Sequence, residues 1–267
     1  MPENDELHAR TVARLRSAGC VYAEDEAALL VAAPGDTDTL VARRVAGEPL
    51  EQVLGWAEFA GLRIGVRPGV FVPRRRTELL ATEAITRLAG ARIAVDLCCG
   101  AGAVAAAMIH ADEDLEVHAA DVDPVAVACA RANLPTATVG EGDLFDAFDP
   151  GLRGRIDVLV ANTPYVPSAE VAFLPPEARE HEPLHALDGG PDGLGLLRRI
   201  AAGAGAWLAP GGWLLIEVSS RQLAEAETVF AAAGLAVGSV TDEELGAVVV
   251  IGRRSLPFEV ERARLGR

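Results

Sequence analysis

From Gly90 onward the chain alternates short apolar runs with alanine-rich helical stretches, and this alternation restricts the fold more than any other feature. The strand-length runs fall at 93–97, 117–120, 137–139, 158–161, 213–218, 235–240 and 248–251, with helical stretches at 103–110 and 124–133. Runs with no polar alternation read as strands buried on both faces. A strand–helix–strand series of this kind packs as a mostly parallel sheet covered by helices on both sides. The last two runs are joined by Asp242-Glu-Glu-Leu-Gly246, which is too short for a crossover. They are expected to form an antiparallel hairpin at one edge, completing an α/β, Rossmann-like, seven-stranded sheet.

Residues 1–55 follow a different pattern. Leu7, Val12 and Leu15 recur at helical spacing, and apolar segments at 26–33 and 38–45 stop at Pro34-Gly35 and at Gly47. These segments read as a small helical domain or lid. Phe59, Leu62, Ile64, Val66 and Val70, set among Gly61, Gly65 and Pro68-Gly69, predict a β-hairpin linker over 56–73. A helix over 79–88 then opens the larger domain, 74–267. A length of 267 residues fits one or two domains.

Composition narrows the function. Hydrophobic residues at 50% and charged residues at 24% exclude global disorder. The net charge of −15, with all basic residues arginine, argues against DNA binding through a general basic surface. The acidic start, Met1-Pro-Glu-Asn-Asp-Glu-Leu, has no apolar leader. The longest uncharged run, 200–216, is broken by Gly203, Gly205 and Pro210-Gly-Gly, so it reads as helix, turn and buried strand rather than a membrane span. Cys20, Cys98, Cys99 and Cys129 lack disulfide or zinc spacing, which fits reduced thiols in a cytoplasmic protein. His181 and His185 are four apart, but Pro183 between them breaks the helix a metal pair would need, and no metal site is expected.

Two segments carry chemistry. Ala94-Val-Asp-Leu-Cys-Cys-Gly-Ala-Gly102 is an apolar strand entering a glycine turn, after which Ala103-Val-Ala-Ala-Ala opens a helix. Glycines allow close backbone approach to a ligand, and a helix N-terminus offers N–H donors. Asp121 ends the next strand, about 20 residues on, where an acid takes two ribose hydroxyls. Gly100-x-Gly102-x-x-Ala105 fits a nicotinamide dinucleotide as well as S-adenosylmethionine, and this segment alone leaves both open. Asp96, on the first strand, is placed to order the loop.

The second segment is Asn162-Thr163-Pro164-Tyr165, delivered by a strand to the C-terminal edge of the sheet, where ligands bind in such folds. The side-chain oxygen of Asn162 can accept from a planar N–H₂ group, and a following backbone carbonyl can accept the second hydrogen. Pro164 fixes chain direction. Tyr165 offers a flat face to a planar amide or amine, and its ring quadrupole favours a sulfonium methyl. The set suits N-methylation of an amide or exocyclic amine.

With these residues in place, the chain resembles the protein-(glutamine-N5) methyltransferase family that modifies peptide-chain release factors. Gly47-Glu-Pro-Leu with Leu54-Gly, Phe71-Val-Pro-Arg-Arg-Arg-Thr-Glu78, Asp96-Leu-Cys-Cys-Gly-Ala-Gly102, Asn162-Thr-Pro-Tyr165, and Glu182-Pro with Ala186-Leu, Gly190 and Asp192-Gly193 carry the resemblance in order. It implies a class I S-adenosylmethionine-dependent fold and a release factor as protein substrate. It also implies a cofactor site of Asp96, Cys98, Cys99, Gly100, Ala101, Gly102, Asp121, Leu144 and Asn162, with Asp143 toward the adenine amine. Asn162 to Tyr165 would hold the glutamine amide, bordered by Arg74 and Thr77. The chain departs from the family at Thr163, where a proline is usual, at Cys98, where glycine is usual, and in a shorter segment ahead of Gly47.

Three rival readings remain. An adenine-N6 nucleic-acid methyltransferase uses a similar four-residue site, but the net charge of −15 opposes it. A nicotinamide dehydrogenase leaves Asn162 to Tyr165 without a role. Thr163 gives a foothold to a non-catalytic cofactor-binding protein.

Overall fold

A computed structural model describes residues 2–256; Met1 and residues 257–267, the end of the 74–267 stretch, lie outside the described residues. Four helices come first: α1 (Pro2–Ser17), α2 (Ala23–Ala32), α3 (Thr37–Val45) and α4 (Leu50–Leu54). Asp36 caps α3 by accepting from the Thr39 N–H at 3.0 Å. Leu15, Leu30 and Val41 meet Ala23, Ala27 and Val53 in a buried cluster of their own. Burying each large aliphatic chain there stabilises the unit by roughly 1.5–3 kcal/mol. The helices are also tied to the rest of the chain. Arg44 pairs with Glu26 at 2.7 Å and with Glu177 at 3.4 Å, and Gln52 Nε2 donates to the carbonyls of Val70 and His181 at 3.3 and 3.4 Å.

The hairpin forms as β1 (Trp56–Phe59) and β2 (Leu62–Gly65), paired antiparallel. After it come α5 (Glu78–Ile85), β3 (Ile93–Leu97), α6 (Ala103–Ala111), β4 (Glu116–Asp121), α7 (Pro124–Asn133), β5 (Thr138–Glu141) and β6 (Ile156–Ala161). The described residues continue with α8 (Pro176–His181), α9 (Gly195–Trp207), β7 (Leu208–Val218), α10 (Leu223–Ala232), β8 (Leu235–Asp242) and β9 (Ala247–Arg254). Helix α5 stops short of the expected residue 88. The Arg87 and Leu88 N–H groups reach back only three residues, to Ala84 and Ile85, so the last turn is tightened. Asp123 and Pro124 start α7 as cap and first residue, with the Asp123 carboxylate accepting from Val125 N at 2.8 Å.

The seven-stranded sheet has the order β5-β4-β3-β6-β7-β9-β8, parallel except for β9, which runs antiparallel to both β7 and β8. The closing hairpin occupies the edge as expected, with β9 inserted inside β8. Strand β7 begins five residues before Trp213, because the pairing jumps from Ile156–Leu208 to Val158–Trp213 across an irregularity at Pro210-Gly211-Gly212. All five residues of β3 are buried, since one core lies under α5, α6 and α7 and a second under α9 and α10. The crossover direction reverses between β3 and β6, which leaves a crevice beyond their C-terminal ends.

Candidate active site

The loop after β3 forms one wall of that crevice. Cys98, Gly100 and Gly102 all take left-handed backbone, with φ of 56°, 54° and 81°. For a residue with a Cβ this conformation costs on the order of 1 kcal/mol, a strain that Cys98 carries and that Gly100 and Gly102 avoid. A Cβ on Gly102 would lie 2.7 Å from Leu134 Cδ1 and 3.4 Å from Ala130 Cβ, so with its φ of 81° the residue favours glycine and packs closely against the end of α7. Asp121 holds the loop from the neighbouring strand, accepting from the N–H groups of Gly100 at 2.9 Å and Asp123 at 3.0 Å. Burial raises its pKa, and those two N–H donors oppose the rise. Each of its oxygens retains a lone pair for a ligand hydroxyl.

Asp96 lies beneath the loop, buried, and accepts from Ala105 N at 3.1 Å at the first turn of α6. Burial pushes its carboxyl up to about 7. Burial also raises the Cys98 and Cys99 thiols, with the Asp121 and Asp96 charges adding to the effect, so neither forms a ready thiolate. Leu144 is buried with a positive φ of 55°, and Asp143 beside it pairs with Arg199 at 2.7 Å.

The opposite wall comes from distant segments. Asn162 follows the last residue of β6, and its Nδ2 donates to Thr77 Oγ1 at 3.2 Å. Thr77 sits in a tight turn ahead of α5 and does not cap that helix with its side chain. Its hydroxyl is buried, and Glu217, near the end of β7, is buried as well. Tyr165 Oη donates to Glu217 Oε1 at 3.3 Å; Arg76 Nε lies 3.3 Å from the same oxygen, and its guanidinium sits 5.4 Å from the Tyr165 ring centre. Burial raises the Glu217 pKa, countered by Thr77, Arg76 and Tyr165. Burial and the Glu217 charge both push the Tyr165 phenol up.

Behind this wall, Gln222 Nε2 donates to the carbonyls of Tyr165 and Asp192, each at 2.9 Å. A Cβ on Gly189 would collide with the Pro164 carbonyl, and one on Gly193 with the Tyr165 carbonyl. The stretch after residue 182 therefore serves as a glycine-lined support for the four-residue motif. Glu182, its side chain fully buried, accepts from Val72 N at 3.0 Å and from Arg74 at 2.7 Å. The arginine triplet Arg74-Arg75-Arg76 is thus divided. Arg74 and Arg76 pair with buried acids, and Arg75 faces solvent.

The two walls enclose a cavity of about 650 Å³. Its lining takes in Asp96, Asp143, Leu144, Arg74 and Thr77 together with 98–101, Asp121 and 162–165. Gly102 alone among the sequence-derived site residues does not reach the cavity; its role is packing. Glu217 was missed, and Glu182 was named only as part of a motif, without a role. The available signal for Glu217 was a lone acid within the apolar run Trp213-Leu-Leu-Ile-Glu-Val218.

Comparison with known proteins places these features among relatives. A methyltransferase small domain model matches residues 61–174. The release factor glutamine methyltransferase of Geobacter sulfurreducens is 41% identical over 194 residues, spanning 71% of this chain and 66% of that protein. The release factor glutamine methyltransferase of Streptomyces coelicolor is 39% identical, spanning 72% and 70%. The 4-amino-L-phenylalanine/4-methylamino-L-phenylalanine methyltransferase of Streptomyces pristinaespiralis is 38% identical over 223 residues, 76% of each chain. Among solved structures, a methyltransferase from Pyrococcus furiosus superposes with a TM-score of 0.54 at 17% identity, covering 80% of this chain and 98% of that one, a likeness of fold.

Proposed function

The chain belongs to the release factor glutamine methyltransferase family, and on that premise we propose that it methylates the side-chain N5 of a glutamine in a peptide-chain release factor. The observation that carries the reading is the Asn162 carboxamide. Its nitrogen is engaged by Thr77, which leaves its oxygen as an acceptor beside the Tyr165 ring for a planar N–H₂ group.

The cavity suits S-adenosylmethionine. Its size is right for a nucleoside with an amino-acid tail, and Asp121 offers acceptors for two hydroxyls. The cofactor supplies an electrophilic methyl on a sulfonium sulfur. Cys98 to Ala101, Asp121 and Leu144 hold it, with Asp143 toward the adenine. An amide nitrogen is a poor nucleophile, so the chain's contribution is placement, which supplies several kcal/mol. Asn162 Oδ1 and a carbonyl of Thr163 or Pro164 accept the two N–H bonds, and both stabilise positive charge developing on nitrogen. Tyr165 fixes the amide plane, and the proton leaves once that nitrogen is tetrahedral and acidic.

In this reading residues 1–55 help receive the protein substrate, joined through 56–73 to the catalytic stretch 74–267. Arg44–Glu177 and the Gln52 contacts support this by linking the helices to α8, on the cavity rim. The protein acts in the cytoplasm and does not bind DNA directly, consistent with the net charge of −15. No helix among the described residues is long and apolar enough to cross a membrane.

A second reading has one observation in its favour. The Streptomyces pristinaespiralis relative, named for an aromatic amine substrate, is 38% identical over 223 residues, a match as long as that of a release factor enzyme of the family. An aryl amine is also a planar N–H₂ donor. The test is label transfer from methyl-labelled S-adenosylmethionine to a release factor, to 4-amino-L-phenylalanine and to duplex DNA, followed by mass spectrometry. Methylglutamine in the release factor is expected. Transfer to the free amine alone selects the second reading, and transfer to DNA alone overturns both.

A further inference from the structure

We propose that Glu217 is a positioning residue for methyl transfer: through the Tyr165 hydroxyl and the Arg76 guanidinium it fixes how the Tyr165 ring stands against the acceptor amine. The proposal rests on the functional reading above, in which that amine packs on the Tyr165 ring.

A tyrosine side chain has two freedoms that matter here. The ring axis, from Cβ to Oη, swings with the first side-chain torsion. The ring plane turns about that axis with the second, whose preference is broad. A hydrogen bond at Oη lies on the axis, so it fixes where the ring points and leaves the plane free to turn. Fixing the plane takes a group against the ring face. The structure supplies both. Tyr165 Oη donates to Glu217 Oε1 at 3.3 Å, which pins the far end of the axis. Gln222 Nε2 donates to the Tyr165 carbonyl at 2.9 Å, which holds the near end. The Arg76 guanidinium lies over the ring, 5.4 Å from its centre, and resists turning of the plane. Arg76 is kept there by Glu217, whose Oε1 is 3.3 Å from Arg76 Nε. One carboxylate oxygen thus serves both the tip of the ring and the group on its face.

The carboxylate does not meet the acceptor itself. Tyr165 and Arg76 line the cavity, whereas Glu217 lies behind them at 2% exposure. Sheet order puts it there. Ala161 of β6 pairs with Ile216 of β7, so Glu217 is the next residue on the strand beside the one that delivers the 162–165 loop. Its neighbours in the run, Leu214, Leu215, Ile216 and Val218, are buried apolar residues. A buried carboxylate is costly unless it is paired. Both partners of Oε1 line the cavity, so the charge acts on the site rather than on the packing of the strand.

Glu217→Gln keeps the shape and an oxygen for the Tyr165 hydroxyl but loses the charge that holds Arg76. Arg76→Met frees the ring face directly, at a side chain 45% exposed, and tests the same clamp without disturbing the strand. With a release factor as acceptor, each should lower kcat about tenfold, within the scale of lost orientation. KM should stay nearly unchanged, because the loss is of placement in the transition state and not of affinity. The double variant should be no worse than the more damaged single variant, since both changes release the same guanidinium. Near-wild-type kcat in either single variant, or losses that multiply in the double variant, would overturn the proposal.

A second measurement needs no substrate. The chain has two tyrosines, Tyr22 and Tyr165. NMR of tyrosine-labelled protein therefore gives two sets of ring signals, and Tyr165→Phe identifies those of Tyr165. In Glu217→Gln and in Arg76→Met the Tyr165 signals should shift and the two edges of its ring should exchange faster. The signals of Tyr22, 70% exposed among the first helices, should stay in place and report an intact fold. Tyr165 signals unchanged in both variants sink the clamp, whatever the protein methylates. Failure of the wild type on a release factor instead strikes the functional reading, and the ring signals still decide the clamp.

Discussion

The two walls of the cavity are built in opposite ways. The wall formed by 96–105 and Asp121 is nearly all one strand–turn–helix, and the hydrogen bonds that set it join Asp96 to Ala105 and Asp121 to Gly100. The facing wall draws Asn162 to Tyr165 from one loop, Thr77 and Arg76 from a turn ahead of α5, Glu217 from β7 and Gln222 from the start of α10. The first can be specified by local sequence and shared by many proteins that bind one cofactor. The second depends on segments far apart in the chain meeting at one place. It is therefore the wall on which substrate choice can change without disturbing the cofactor.

The sharpest way to break this division is Asn162→Ala. Single-turnover methyl transfer should fall at least about a hundredfold, the cost of lost orientation, while calorimetry shows cofactor affinity largely retained. Near-wild-type transfer would place the chemistry elsewhere. The complementary change, Asp121→Ala, removes charged acceptors from the other wall. Hydrogen bonds to a charged group contribute about 1.5–3 kcal/mol, so cofactor affinity should fall roughly tenfold to hundredfold, with a milder effect on rate at saturating cofactor. Unchanged affinity would remove Asp121 from the site.

A smaller effect concerns Asp96 and stability. Its folded pKa, about 7, lies above the ordinary value of 3.8, so between these values the folded protein keeps a proton the unfolded chain has lost. Stability of the cofactor-free protein should therefore decline as pH rises through that window, by at most about 1.4 kcal/mol per pH unit from this group. Asp96→Asn should flatten the slope in urea unfolding measured from pH 4 to 8, and an unaltered slope would contradict the assignment. The smallest change is expected from Thr163→Pro. That residue acts through its backbone, and Pro164 already favours an extended conformation there. A large gain in transfer from an inactive wild type would instead identify the chain as a degenerate binder.

Much of the fold was legible in the sequence because its signals are local. Helix α7 falls on residues 124–133 and β3 on 93–97, as expected, because Asp123-Pro124 starts a helix and an apolar run with no polar alternation needs cover on both faces. The start of β7 was not legible. The irregularity at Pro210-Gly211-Gly212 reads as a turn in sequence, yet a neighbouring strand pairs on either side of it.

For the site, the sequence by itself determined the glycine turn with Asp121 and the Asn162-Thr-Pro-Tyr165 motif. A left-handed turn needs glycine, or tolerates Cys98 at some strain, and a proline-directed loop keeps its direction wherever it is placed. Only the tertiary structure decided what Thr77, Arg74, Arg76, Glu182 and Glu217 do. A charged or hydroxyl side chain has no fixed partner until the sheet order is set. Here β7 lies beside β6, which brings Glu217 toward Tyr165 and Arg76, and the Thr77 hydroxyl accepts from the Asn162 amide instead of capping its own helix.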